Sequence, residues 1–298
     1  MKYDYIIVGA GSAGCVIANR LSEDPSTQVL LIEAGGSDRR FFIQMPIGYG
    51  VTYHQKAVNW MYMTEPSPDA DNKPSYWPRG KVMGGSSSIN AMVYVRGNSR
   101  DFDQWSEAGN PGWSYSDVLP YFKKMESWQN GPDDYRGGDG PLNVSEVSRQ
   151  LHPLCQNFLS AAQEIGIGLN KDMNGATQEG VGNYQITTHK GQRMSSSRAY
   201  LWPIKGRTNL TIIKNAQATK ILTQDKKAFG IEYKKSGKVH QAIAKCEVVL
   251  SAGSINSPHL LQLSGIGPKA VLRKASVPLV HDSPGVGENL QDHVGVSY

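Results

Sequence analysis

The sequence predicts an α/β fold, and three observations predict it. An apolar run, Tyr5 to Val8, stops at the glycine-rich turn GAGSAG, positions 9 to 14. A stretch of helical periodicity follows and leads to a second apolar run, Val29 to Ile32, closed by the acid Glu33. Between positions 210 and 250 a row of short β-rich runs is divided by turn residues. The first two describe a parallel β-turn-α-turn-β unit of the Rossmann-like, dinucleotide-binding kind, and the third an antiparallel meander.

Each element has a local cause. Tyr5, Ile6, Ile7 and Val8 are apolar without alternation, as in a strand covered on both faces. From Ser12 to Leu21 the apolar positions Ala13, Val16, Ile17, Ala18 and Leu21 recur at helical spacing, and Asp24-Pro25 closes the segment. Ala34-Gly35-Gly36 turns the chain after the second strand. The following span crowds Phe41, Phe42, Tyr49, Tyr53, Trp60 and Tyr62 among glycines and prolines, a composition of loops wrapped over a scaffold. Leu210–214, Thr219–223, Phe229–234 and Val239–244 read as meander strands, with Asp225-Lys226-Lys227 and Ser236-Gly237-Lys238 between them. Val248, Val249 and Leu250 read as a separate apolar strand ending at Ser251-Ala252-Gly253. Ser257-Pro258 then starts a helix that Gly265 ends.

Composition narrows the function. The chain has 298 residues, 39% of them hydrophobic and 19% charged, which suits a soluble globular protein with a sizeable core. No apolar stretch reaches bilayer length and the first residues carry no secretory pattern, so the expected location is cytoplasmic. The net charge of +5 comes from dispersed basic residues, giving no footprint for nucleic acid. Cys15, Cys155 and Cys246 form neither a disulfide framework nor a metal pair and are expected to be buried small hydrophobes; no metal site is expected.

The glycine turn carries the chemistry. Gly9 permits the reversal out of the strand, Gly11 lets backbone approach a pyrophosphate, and Gly14 lets helix and strand pack closely. The anion would rest on the helix N-terminus. Glu33 lies 19 residues after Gly14, where a carboxylate accepts ribose hydroxyls and repels a 2′-phosphate, favouring FAD or NAD over NADP. A second stretch, WPRGKVMGGSSSINAMVYVRG at 77 to 97, separates FAD from NAD: its small residues bring backbone against a flat ligand face, and the flanking apolar residues are not those of a linker.

GAGSAG with LIEAGG, RGKVMGGSSSINAMVYVRG, GSINSPHLLQLSGIG at 253 to 267 and PGVGENLQDH at 284 to 293 together resemble the glucose-methanol-choline (GMC) flavin oxidoreductases, in the right order along essentially the whole chain. The likeness is greatest to choline dehydrogenases and related FAD-dependent alcohol dehydrogenases; Met83 departs from the family's usual leucine. The resemblance implies that Gly9, Gly11, Ser12, Ala13 and Gly14 hold the pyrophosphate, and Glu33 with Ala34 the adenosine ribose. It places Gly84, Gly85, Ser88, Asn90, Ala91, Met92 and Val93 along the isoalloxazine ring, Ala218 at adenine, and Ser251, Ala252 and Gly253 against the cofactor. Ile89 stands where some relatives attach FAD through histidine, so the cofactor is expected to be non-covalent.

The activity implied is oxidation of a small-molecule alcohol, with hydride passing to flavin N5 and a base taking the hydroxyl proton. Relatives draw that base from a histidine, paired with a second histidine or an asparagine, in a C-terminal half that would lie beyond Tyr298, so the catalytic residues are unknown and the chain reads as truncated. His259 and His293 are expected to be structural, and His54, His152, His189 and His281 have less to recommend them. Trp60 aligns with a region bordering the active site and could offer a face to a quaternary ammonium, although packing of the wrapping loops is the better explanation of these aromatics and other primary alcohols fit equally. The expected domains are a discontinuous FAD-binding domain, 1–150 and 205–298, enclosing part of an α+β substrate domain at 151–204. Exposed apolar surface would favour self-association or pairing with a C-terminal half, and the electron acceptor is unspecified. The alternatives are a non-catalytic flavin-binding fragment and a divergent flavoenzyme such as a fatty-acid photodecarboxylase.

Overall fold

The computed structural model describes residues 2–68, 71–293 and 295; Tyr298, the predicted limit of the flavin-binding segment, lies outside them. In the first of two compact units (1–40, 51–89 and 196–298) the regular elements include β1 (Lys2–Val8), α1 (Ser12–Leu21), β2 (Val29–Ile32), β3 (Leu210–Ile213), β4 (Ala216–Gln224), β5 (Lys227–Lys235), β6 (Lys238–Leu250) and α2 (Gly253–Leu263). The six strands form one sheet ordered β3-β2-β1-β6-β5-β4.

The predicted β-α-β unit is present with its predicted ends for α1 and β2. Strand β1 runs parallel to β2, pairing Tyr5 with Val29 and Val8 with Ile32, and parallel to the second half of β6. All four residues of β2 are buried, as parallel strands covered on both faces must be. Ile6, Leu30, Ile221, Ile231, Tyr233 and Leu260 belong to one core cluster. Each such aliphatic side chain contributes roughly 1.5–3 kcal/mol by leaving water.

Three local readings are corrected. Strand β3 is not part of the meander; it pairs parallel with β2, a partner about 180 residues earlier that no local pattern reveals. The meander is β4-β5-β6, its two turns carrying paired left-handed residues, Asp225 and Lys226 (φ 50° and 62°), then Ser236 and Gly237 (49° and 78°), the geometry of two-residue hairpins. The apolar Val248–250 run is the end of β6, not a separate strand. Between the two runs the strand continues through Lys245, whose Nζ lies 3.0 Å from Asp4 Oδ1 on β1. Helix α2 begins at Gly253, not Ser257, with Pro258 inside it; Ser257 Oγ accepts the Ala252 N–H at 3.1 Å and so serves the helix start from within.

The second unit comprises 41–50 and 90–195, so residues 90–150 cluster with 151–195. It contains helices Ser99–Glu107, Tyr115–Met125 and Pro153–Glu164. Asn98 caps the first, Ser114 and Asp117 form a capping box on the second, and His152 Nδ1 accepts the Leu154 N–H at 3.2 Å on the third. At its centre the fully buried Glu126 receives Arg96 Nη2 at 2.7 Å and pairs with Arg136, which also meets Asp172 at 2.8 Å. The Arg136 guanidinium lies 4.1 Å from the Trp128 ring centre.

The cysteines also depart from expectation. Cys15 is buried, Cys155 half-buried and Cys246 exposed, because β6 turns the side chain of Cys246 to solvent.

Candidate functional site

The first turn is built from three glycines with three different reasons to be glycine. Gly9 has φ +98°, and a Cβ there would stand 2.6 Å from the Ser251 carbonyl oxygen. A Cβ on Gly14 would overlap the Gly9 carbonyl oxygen and stand 2.7 Å from Ser251 Oγ. Gly11 differs: its backbone is ordinary (φ −77°, ψ −164°), and a Cβ would have the Ser251 oxygen at 3.7 Å as its nearest neighbour. The fold itself therefore tolerates a side chain at Gly11. That residue is also the N-cap of α1, and no side chain caps it. The first-turn N–H groups, which have no partner within a helix, open where the positive end of the helix dipole favours an anion.

Glu33 ends β2 beside this turn. Its Oε2 accepts the Ala10 N–H at 2.8 Å and its Oε1 the Gly35 N–H at 2.7 Å. Burial pushes its carboxyl above the usual range, opposed by those two N–H groups and by the charge of Lys81. Burial likewise raises Asp38 and drives the Cys15 thiol far up, with Glu33 adding to the latter. Cys15 is thus held as an inert thiol that donates to the Ala10 carbonyl at 3.2 Å.

Two distant segments close onto the turn. The Gly84 N–H donates to the Ala10 carbonyl at 2.7 Å, with Gly84 at φ +86°. A Cβ on Gly85, at φ +56°, would stand 2.7 Å from Gly11 Cα. Ser88 is buried and donates to the Met83 carbonyl at 2.7 Å. From the end of β6, Ser251 N–H donates to Val8 O at 2.8 Å and its hydroxyl lies 2.9 Å from Gly9 O.

Around this junction lies a cavity of about 820 Å³. Of the residues singled out in the sequence, Gly9, Gly11, Ser12, Ala13, Glu33, Ala34, Gly85, Ala218, Ser251, Ala252, Gly253 and Trp60 line it. Gly14, Gly84 and Ser88 are packed behind the lining. Asn90, Ala91, Met92 and Val93 belong to the second unit, where Asn90 Oδ1 accepts the Met92 N–H at 3.1 Å and Arg193 Nη1 at 2.8 Å. Sequence reasoning passed over Tyr62 and Asn256, which also line the cavity and join by a hydrogen bond of 2.6 Å. The regular spacing of Trp60 and Tyr62 was the available signal for the first; Asn256, 194 residues away, gave none. His259 lines the cavity from α2, and His293 is exposed. Among the described residues no group of three or more His, Cys, Asp or Glu side chains could hold a metal ion, and no helix is long and apolar enough to cross a membrane.

The donor set fits a dinucleotide. A bare helix N-terminus suits a pyrophosphate, the Glu33 carboxylate suits ribose hydroxyls, the unfilled space before Gly11 admits a close chain of atoms, and the volume is that of a cofactor pocket.

Comparison with known proteins gives the same class of answer. The family model described as GMC oxidoreductase matches residues 3–295. The chain is 52% identical over 297 residues to an oxygen-dependent choline dehydrogenase of Photobacterium profundum, covering 99% of this chain and 52% of that protein. It is 48% identical over 299 residues to an alcohol dehydrogenase (acceptor) of Pseudomonas putida, covering 99% and 54%. Among solved structures, pyridoxine 4-oxidase from Mesorbium loti superimposes with a TM-score of 0.94 at 34% identity, covering 98% of this chain and 57% of that one. Formate oxidase from Aspergillus oryzae does so with 0.88 at 31%, covering 98% and 52%. The chain spans about half the length of the curated relatives it matches.

Proposed function

The chain belongs to the GMC oxidoreductase family, its cofactor is FAD, and from that premise we propose that the 820 Å³ cavity houses FAD non-covalently as the cofactor site of an alcohol-oxidising flavoenzyme. The observation that carries the reading is Gly11. Gly9 and Gly14 are glycine because the protein's own backbone fills the space of a Cβ; Gly11 is glycine although the protein leaves that space open. The space is kept for a ligand that passes against the backbone at the start of α1.

Each lining residue then has a task. The N–H groups of the first turn of α1 hold the pyrophosphate without needing a basic side chain. Glu33, fixed by Ala10 and Gly35, accepts the adenosine ribose hydroxyls with its remaining lone pairs and disfavours a 2′-phosphate. Ala218 on β4 offers small, apolar backbone to adenine, and Gly85 and Ser251 to 253 keep side chains out of the cofactor's path. FAD, when bound, supplies the two-electron acceptor for the hydride of an alcohol CH–OH group. The substrate class is a choline-like or other primary alcohol, as the relatives' names suggest.

The test is the visible spectrum of the purified, desalted chain before and after FAD is added. Flavin bands that stay with the folded protein, and are released when it is denatured in acid, are expected. Failure of the folded chain to take up FAD would refute the assignment. Bleaching of those bands by a primary alcohol under anaerobic conditions tests the activity, while bound flavin that no alcohol reduces would reduce the chain to a cofactor-binding module.

A further inference from the structure

The chain that carries Trp60 is irregular at one point, and a buried side chain makes the irregularity. Residues 58–64 and 75–81 form an antiparallel ribbon in which Tyr62 pairs with Trp77, Met63 with Tyr76, and Asn59 bridges Gly80. Trp60 therefore lies opposite Arg79, and its N–H donates to the Arg79 carbonyl at 2.8 Å. In a regular ladder the Arg79 N–H would return to the Trp60 carbonyl. It donates instead to Asn59 Oδ1 at 3.0 Å, and the same oxygen accepts the Met61 N–H at 2.9 Å. Met61 lies opposite Pro78, which has no N–H to give, and takes a left-handed backbone (φ 57°) that is costly for a residue with a Cβ. The other end of the amide is used as fully. Asn59 Nδ2 donates to the Tyr53 carbonyl at 2.7 Å and to Tyr76 Oη at 3.1 Å, and the residue is 1% exposed.

What this irregularity holds is one wall of the cavity. Trp60, Tyr62, Arg79 and Gly80 line it, and Asn59 does not. The Trp60 and Tyr62 rings lie parallel, 6° apart with centres separated by 5.9 Å. Lys81 Nζ stands 4.4 Å from the centre of the Trp60 ring, and Tyr62 Oη donates to Asn256 Oδ1 on α2 at 2.6 Å. We propose that Asn59 is a positioning residue of the cofactor site: by receiving the Met61 and Arg79 N–H groups it fixes the backbone on both sides of Trp60 and so presents the Trp60–Tyr62 wall to FAD. This rests on FAD occupying the cavity as proposed above. A regular ladder would serve the ribbon's stability without a buried amide or a left-handed methionine, and the departure is confined to the step between Trp60 and Arg79, both of which line the cavity. Backbone of this kind persists only where its surroundings determine it, and here four hydrogen bonds to one side chain do so. A wall fixed before the ligand arrives has less freedom to lose on binding.

The experiment measures FAD dissociation constants by flavin fluorescence for the wild-type chain, Asn59→Ala, Asn59→Asp, Tyr76→Phe, Trp60→Ala and the double variant of Asn59→Ala with Trp60→Ala. Far-ultraviolet circular dichroism and melting of the FAD-free proteins fix a temperature at which all are folded. Asn59→Ser, too short to reach both N–H groups, replaces Asn59→Ala if that variant does not fold. Asn59→Ala should bind FAD about tenfold more weakly. Asn59→Asp keeps an acceptor oxygen in the same place and should recover most of that loss. Tyr76→Phe removes a partner of Nδ2 but leaves Oδ1 in position, so it should lower the melting temperature and leave FAD affinity within about twofold of wild type. In the Trp60→Ala background Asn59→Ala should add less than about threefold, because the wall it positions is gone. A further loss of about tenfold in that background would overturn the positioning role, as would wild-type affinity in Asn59→Ala. A loss in Tyr76→Phe as large as in Asn59→Ala would also overturn it, since affinity would then follow ribbon stability alone. A wild-type chain that binds no FAD would instead sink the cofactor assignment itself, and with it this inference.

Discussion

Replacing Gly11 and Gly14 each by alanine separates what the fold needs from what the ligand needs. At Gly14 the new methyl would overlap the Gly9 carbonyl and sit 2.7 Å from Ser251 Oγ, so β1, α1 or β6 must move. Overpacking of that kind costs about 1–3 kcal/mol. In a chain of this size it should lower the melting temperature of the FAD-free protein by about 2–4 °C per kcal/mol. At Gly11 the methyl meets nothing closer than 3.7 Å and the backbone angles suit any residue. Two small effects there nearly cancel: alanine is a poorer N-cap than glycine, by up to about 1 kcal/mol, and it lowers unfolded-chain entropy by about 0.4–1 kcal/mol. The FAD-free melting temperature of Gly11→Ala should stay within about 2–4 °C of wild type, one kcal/mol on the same scale. Its FAD affinity should nevertheless fall by about 1–3 kcal/mol, roughly 5- to 150-fold, as the methyl overpacks the ligand. Differential scanning calorimetry of the FAD-free variants and fluorescence titration with FAD read both halves. An FAD affinity equal to wild type in Gly11→Ala, or a loss of stability as large as in Gly14→Ala, would refute the claim that the space is reserved for a ligand.

Other outcomes follow from the same structure. Glu126→Gln leaves Arg96 and Arg136 buried around a neutral group and should cost about 3–5 kcal/mol in denaturant unfolding; a change under about 1 kcal/mol would show that the network contributes little. Glu33 is raised above its ordinary 4.5, so between that value and its folded one the native state binds more protons than the unfolded state. Stability contributed there falls as pH rises through this window. Glu33→Gln should flatten that fall in a pH series of thermal melts, and an unchanged slope would assign it to other groups. With a thiol reagent, Cys246 should react first, Cys155 more slowly and Cys15 only on unfolding, because its thiol is buried and driven up; mass spectrometry of the labelled peptides reads the order.

How much of this was legible in the sequence depends on whether the cause is local. The β-α-β unit was, because apolar runs, a helical period and three glycines are all short-range signals, and α1 and β2 have the ends the pattern gave. Hairpin turns at Asp225-Lys226 and Ser236-Gly237 were legible for the same reason. The partner of β3 was not, since register with β2 is decided by sheet assembly. The buried ion cluster was also missed: Arg96, Glu126, Arg136 and Asp172 are spread over 77 positions and each reads as an ordinary surface charge until the fold brings them together. The start of α2 was misplaced because Ser-Pro is a common helix opening. Here Gly253, at φ +89°, makes the turn out of β6 four residues earlier.

The same division explains the glycine density at the site. Gly9 meets the Ser251 carbonyl, Gly85 meets Gly11, and Gly35 meets the Lys81 carbonyl. Segments from three widely separated parts of the chain therefore touch backbone to backbone, and a side chain at any of these positions would force them apart. A spacing rule identifies GAGSAG, but Gly35 and Gly85 are required by that convergence, which a rule for one turn does not contain. What the convergence achieves is a wall of peptide N–H and C=O groups around the start of α1, rigid because each segment is the packing partner of the next. Such a wall presents groups every residue has, which leaves side-chain chemistry to the few positions that carry charge, such as the buried Glu33 held by Ala10 and Gly35.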